Sequence, residues 1–222
     1  MQFRKKFQDY SKVIKRKTIG INFGEKWQSV DVDKWYKETI DIYPLVHSDL
    51  LSYFTKRKDI KTVLEIGCGP GVYPIYFKEL FHQMEYTGID ISKPAIKYCK
   101  ENSNYDFICD DFLKMRFDKK YDFIFSRSVI DHVYDIDLFL SKIVNICKKY
   151  AYVYAFRGYF PQLEDHMMIF NKNYGYYVND LSVKQIEKTL HNNGLDKSQF
   201  LIRSQESGYS KWKTGTVIEI NK

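Results

Sequence analysis

Apolar and polar positions change rhythm near Lys61. Before it, apolar residues recur at helical spacing. Phe3, Phe7, Tyr10 and Val13 or Ile14 do so among lysines, and a longer helical stretch over residues 33–57 is broken near Pro44. After it, short β runs alternate with helical windows. Residues 62–66, 86–90, 107–109, 121–126 and 150–156 read as five strands. Helices are predicted after Gly71, from Ser92 and Pro94 onward, and over 136–148. That alternation predicts an α/β domain whose largely parallel sheet carries helices on both faces. Residues 157–180 form an aromatic-rich insertion with few periodic signals. A helix over 182–192 closes at Gly194, and 200–202 and 216–220 read as a final antiparallel strand pair.

No internal repeat or linker divides the 222 residues, a length that suits one core. Residues 1–59 read as an N-terminal helical or lid segment with a basic tail, and 60–222 as the main domain, with a substrate-side insertion at about 157–180. The formal charge of +7 is localised: residues 1–17 hold seven Lys and Arg against Asp9 alone, a net +6, which leaves about +1 for the other 205 residues. A protein that grips a long nucleic acid spreads its basic surface over the fold, so this distribution argues against a nucleic-acid partner. The tail fits a helix lying on its own domain, a membrane-surface helix or a partner-binding segment. The four cysteines form no C-x-x-C pair and no metal-ligand spacing with the five histidines, so no metal site is expected. No stretch reaches ~18 apolar residues, which leaves no transmembrane segment and a cytoplasmic location as the expectation. The oligomeric state stays open.

Chemistry concentrates at the strand ends. Glu65, Gly67, Cys68, Gly69 and Gly71 follow the first strand, and three glycines at alternate positions let a backbone turn tightly and bring amides to a ligand at a helix start. The spacing is not that of a dinucleotide site. G-x-G-x-x-G needs glycine where Val72 or Pro74 stands, and Glu65 would repel a pyrophosphate. Asp90 ends the second strand, where a carboxylate can accept from both hydroxyls of a ribose. Asp110, Asp111 and Phe112 follow the third, where a carboxylate can accept from an adenine amine while a ring covers the base.

In this order, the segments 63–73, 86–90, 107–112 and 121–133 resemble the motifs of the class I S-adenosylmethionine-dependent methyltransferases, nearest the broad group acting on small molecules. The resemblance covers residues 60–156 and implies a doubly wound, mostly parallel, seven-stranded Rossmann-like sheet. It implies S-adenosyl-L-methionine as cofactor, with its methionine part on the Gly67–Gly71 backbone beside Glu65 and Cys68. Asp90 and Ile91 would lie at the ribose, Asp110, Asp111 and Phe112 at the adenine, and Ser126 and Arg127 near the transferred methyl.

Methyl transfer from a sulfonium needs alignment more than acid–base chemistry, and a base only for a hydroxyl or protonated amine acceptor. His132 is the first candidate and Asp131 the second, each with an alternative role in packing or helix capping. Arg157 leaves the fifth strand and can meet an acceptor anion or a neighbouring acid. Tyr159 and His166 join it as substrate-side candidates, and the tyrosines of the insertion suggest a wall for a sugar or flat ring. Trp27, Trp35 and Tyr36 can fold back as a lid. The function expected is methylation of an oxygen or nitrogen of a small molecule, a sugar or nucleotide-sugar intermediate among the options. The alternatives are an RNA or protein methyltransferase using the basic tail, and a scaffold that binds the cofactor without turnover.

Overall fold

The computed structural model describes residues 23–42, 44–206 and 213–222; the basic segment 1–17 lies outside them. The first strand, β1 (Thr62–Ile66), is buried from Val63 on and pairs in parallel with β2 (Glu85–Asp90) and β4 (Tyr121–Arg127). β3 (Asp106–Cys109) extends the sheet beyond β2. β5 (Cys147–Ala155) extends it beyond β4. The last two strands, β8 (Phe200–Glu206) and β9 (Thr214–Asn221), are antiparallel, giving the order β3-β2-β1-β4-β5-β9-β8. The seven-stranded, mostly parallel sheet with its antiparallel C-terminal pair is as expected.

Successive strand residues enter different cores. Val63, Phe123 and Phe125 pack on one face with Tyr53 and Phe54 of α2 (Pro44–Thr55). Leu64 and Ile124 pack on the other with Phe139, Leu140 and Ile143 of α6 (Ile136–Ile146). A strand buried on both faces reads as an unbroken apolar run, which is how β1 and β4 appear in the sequence. Strand order reverses at β1, between β2 and β4, and such a sheet opens a crevice at the carboxyl ends of those strands.

The helices begin where their side chains cap them. Ser92 accepts from Ala95 N ahead of α5 (Lys93–Asn102), Asp135 from Leu138 N ahead of α6, and Ser182 from Gln185 N ahead of α7 (Val183–Asn192). Three expectations need correction. The helix after Gly71 is two short pieces, α3 (Val72–Tyr76) and α4 (Lys78–Phe81), broken at Phe77, whose ring packs on Tyr73 and His47. α6 stops at Ile146 and β5 starts at Cys147, earlier than the pattern suggested, because Cys147 pairs with Tyr121. The insertion contains an antiparallel hairpin, β6 (Met167–Asn171) and β7 (Tyr176–Asp180). Most of its residues are half-buried on both faces, so it carries no clean alternation. The long N-terminal helical stretch is α1 (Val32–Ile42) and α2, divided ahead of Pro44 as predicted.

Candidate functional site

A cavity opens at the carboxyl ends of β1, β2, β3 and β4. Its floor is the glycine turn. Gly67, Gly69 and Gly71 all have positive φ, between +50° and +74°. A Cβ on Gly67 would overlap Val129, and one on Gly69 would lie 2.9 Å from Trp35. Backbone alone fits there. Gly67 N and Cys68 N donate to Ile89 O at 2.7 and 3.0 Å, tying the turn to β2.

Asp90 joins the turn to the next loop. Its carboxylate accepts from Gly69 N and Ser92 N, both at 2.8 Å, and lines the cavity with 9% of the residue exposed. A carboxylate has about four lone-pair positions, so ones remain for ligand hydroxyls. Burial raises its pKa, and the amides of Ser92, Gly69 and Ile91 oppose that rise. Glu65 also lines the cavity; burial pushes it up to about 8, while the Tyr86 hydroxyl it accepts from and the Arg127 charge pull the other way. Two buried carboxylates suit a ligand bearing an ammonium and hydroxyls, and they disfavour a pyrophosphate. The glycine cradle and this donor set fit S-adenosylmethionine.

The remaining expected positions divide. Cys68, Ile91, Asp110, Asp111, Phe112 and Arg127 line the cavity. Asp111 accepts from its own loop and from the segment after β4: Leu113 N and Tyr134 Oη donate to its two carboxylate oxygens, each at 3.0 Å. Asp110 is exposed and accepts from Asp111 N at 2.7 Å. Ser126 does not line the cavity; fully buried, its hydroxyl donates to Ile66 O at 2.9 Å and braces β1 against β4.

His132 lines the cavity and donates from Nδ1 to Tyr177 O at 2.8 Å. A carbonyl can only accept, so the proton sits on Nδ1 and Nε2 keeps its lone pair. Burial holds its pKa down at about 4. Asp131 is not among the cavity-lining residues. It is fully buried and accepts from Phe156 N at 3.3 Å and Arg157 N at 3.2 Å, so it anchors the end of β5. The Arg157 guanidinium lies against Asp180 at 2.9 Å and Asn179 O at 3.2 Å, the neighbouring-acid role rather than an acceptor contact. His166 lies away from the cavity, accepting from Ser182 N at 3.0 Å with Asp137 at 3.8 Å. Tyr159 is half-buried beyond β5 and also outside the lining.

Of the residues expected to fold back, Trp27 and Trp35 line the cavity together with Phe23, while Tyr36 packs on Tyr98. Ser92 Oγ donates to Trp27 O at 2.6 Å, and Gln28 Nε2 to Ile91 O at 2.7 Å. Gly24 N donates to Gly175 O of the hairpin turn at 2.7 Å. Trp27 and Tyr176 flank the His132 ring at 5.7 and 4.6 Å. Sequence reasoning missed Tyr73 and Val129, inside the motif segments, and Phe23 and Tyr134, outside them, as cavity-lining residues. It also missed Ser128, whose φ of +59° puts a non-glycine residue in the left-handed region at the end of β4, where strain often marks a functional site. Among the described residues no cluster suits a metal ion.

Comparison with known proteins identifies the fold and the family. (S)-Tetrahydroprotoberberine N-methyltransferase of Eschscholzia californica is 36% identical over 111 residues, 47% of this chain and 32% of that protein. The chain thus spans about a third of the length of the first curated relatives it matches. Two solved structures share the fold. Magnesium protoporphyrin IX methyltransferase from Synechocystis PCC 6803, with bound S-adenosylmethionine, superposes with a TM-score of 0.62 at 15% identity, over 89% of this chain and 94% of that one. The N-methyltransferase NodS from Bradyrhizobium japonicum WM9, in complex with S-adenosylhomocysteine, gives 0.61 at 16%, over 89% and 95%. The family model for a methyltransferase domain matches residues 57–195. That match takes in the glycine turn, both buried carboxylates and the strand ends around them, and the chain belongs to the class I S-adenosylmethionine-dependent methyltransferase family.

Proposed function

We propose that the protein transfers a methyl group from S-adenosylmethionine to an oxygen or nitrogen of a small-molecule acceptor. The observation that carries this is Asp90, which holds the glycine turn through Gly69 N, holds the next loop through Ser92 N and still faces the cavity. When bound, the cofactor supplies a methyl group already activated on a sulfonium. The Gly67–Gly71 backbone and Glu65 would hold its amino-acid end, Asp90 its ribose, and Asp110 and Phe112 its adenine. The chain's own contribution is alignment and exclusion of water, served by Trp27 and Trp35 over the cavity.

For a hydroxyl or ammonium acceptor, His132 Nε2 is our candidate to take the proton, its tautomer set by Tyr177 O. Asp131 is held by backbone amides and serves structure in this reading. The acceptor side is aromatic, with Trp27, His132 and Tyr134 on the wall. With Arg157 on Asp180, the anion contact that favoured a nucleotide-sugar is taken up within the protein. The small-molecule class draws support from the acceptors named in the alkaloid-type and porphyrin enzymes compared above.

Calorimetric titration of S-adenosylmethionine and S-adenosylhomocysteine, with NAD as control, tests the cofactor. Binding of the first two alone is expected, and Asp90→Ala should weaken it by roughly 10- to 100-fold, the loss of charge-assisted hydrogen bonds worth ~1.5–3 kcal/mol. A folded wild-type sample that binds neither would end the reading. S-Adenosylhomocysteine release over a panel of hydroxyl and amine compounds then separates an enzyme from a scaffold: binding with no turnover on any of them would favour the latter.

A further inference from the structure

The loop that brings Asp110 and Phe112 to the cavity runs between β3 and β4 without regular structure. Asp111 shapes it from within: Lys114 N and Met115 N donate to its carbonyl at 2.9 and 3.1 Å, and Leu113 N to its carboxylate at 3.0 Å. From outside, three carbonyls of the loop converge on one group. Lys142 of α6 donates from Nζ to Phe112 O at 2.8 Å, Leu113 O at 2.7 Å and Met115 O at 2.6 Å. An ammonium has three N–H donors and no acceptor, so these contacts use all of them. The same Nζ lies 5.5 Å from the centre of the Phe112 ring, and that ring packs on Phe139 of α6 at 5.3 Å. Packing therefore holds the Phe112 side chain and the ammonium holds the backbone of residues 112–115, while Asp110 is tied by its N–H to Asp90 O at 3.1 Å and by its carboxylate to Asp111 N, the residue that leads into the clamped stretch.

We propose that Lys142 is a positioning residue for adenine recognition: by clamping the carbonyls of residues 112, 113 and 115 it holds Asp110 where its carboxylate reads the adenine 6-amino group. This rests on the cofactor reading above. Lys142 itself does not line the cavity. Its effect passes through the loop, so it should alter which base is preferred as well as how tightly a ligand binds. A residue needed only for folding would change affinity for all ligands alike.

The test is calorimetric affinity for S-adenosylhomocysteine and for S-inosylhomocysteine, in which an oxo group replaces the 6-amino group. Wild type should favour the adenine ligand by about tenfold or more, the worth of one charge-assisted hydrogen bond. Lys142→Met should bring the ratio to within about threefold of unity. Lys142→Arg, whose planar fork cannot meet three converging carbonyls as an ammonium does, should fall between them. If Lys142→Met fails to fold, Lys142→Arg decides alone, and a wild-type ratio there overturns the proposal. So does a wild-type ratio in a folded Lys142→Met, even with both affinities lowered. Wild type binding both ligands equally would remove Asp110 from the adenine and the proposal with it. Wild type binding neither would overturn the cofactor reading instead.

Discussion

Gly67 shows how much can hang on one missing side chain. Its φ of +74° is unfavourable for any L side chain, and a Cβ would overlap Val129. Gly67→Ala should abolish measurable cofactor binding and lower stability by at least ~1 kcal/mol through strain and overpacking, read by calorimetry and urea unfolding. His132 makes a different kind of prediction. Its pKa of about 4, lowered by burial, keeps the ring neutral down to mildly acidic pH. The kcat/KM profile should therefore lack an acid limb near 6.5, and a limb there that disappears in His132→Gln would contradict the buried, Tyr177-bound ring. With a hydroxyl acceptor, His132→Gln should lower kcat by ~100-fold or more. The glycines and Asp90 were readable in the sequence because a tight turn after one strand and a carboxylate at the end of the next are local signals. Arg157, Asp131 and His166 were not, since a polar residue near a strand end looks the same whether it faces a cavity or a partner within the protein.

The hairpin β6–β7 is attached to the loop after β4 chiefly through Asn179. Fully buried, Asn179 Nδ2 donates to Ile130 O and Val133 O, both at 2.9 Å, and its backbone N donates to Asp131 O at 2.9 Å. Asn179→Leu would strand two buried carbonyls and should cost about 1–3 kcal/mol in urea unfolding. It should also loosen the loop that carries His132, so kcat should fall more than cofactor affinity. Equal losses in both would mean that the hairpin serves only the fold. Trp27 is held at the cavity by similar bonds between segments distant in sequence, such as Ser92 Oγ to Trp27 O. Strands β1 and β4 were legible because burial on both faces makes them continuous apolar runs. The hairpin was not, because its half-buried faces impose no alternation.

For the molecule as a whole, buried titrating groups set opposite pH trends. Glu65 is raised by burial to about 8 and Asp131 to about 7, so their contribution is fully present below their unfolded values of 4.5 and 3.8 and is lost as pH rises through 7–8. His47 and His132 are both lowered by burial to about 4, so theirs is present above 6.5 and lost as pH falls through 4. Stability of the free protein should therefore decline above pH 6.5 and again below about 4.5. Glu65→Gln should gain on wild type by about 2 kcal/mol or more between pH 5 and 8.5 in urea midpoints; a gap that stays constant with pH would show Glu65 ionised throughout. Charge at the N-terminus poses a separate question. Deleting residues 1–17 should leave cofactor affinity unchanged, and a steeply salt-dependent RNA affinity lost with them would favour an RNA acceptor. No helix among the described residues is long and apolar enough to cross a membrane.

The alternation of buried strands with helical windows, the glycine spacing and the acidic residues at successive strand ends specified the sheet, its family and several cavity-lining positions. Each of these is a local constraint: a period, a turn that excludes Cβ, or a carboxylate at a strand end. Only the folded chain decided which polar groups were left for a ligand. Asp111, Asp131, Arg157 and Ser126 are engaged by partners up to 60 residues away, and Lys142 reaches back 27 to 30 residues to its three carbonyls. A hydrogen bond between segments far apart in the chain leaves no period or spacing behind, because either partner alone looks like an ordinary polar residue.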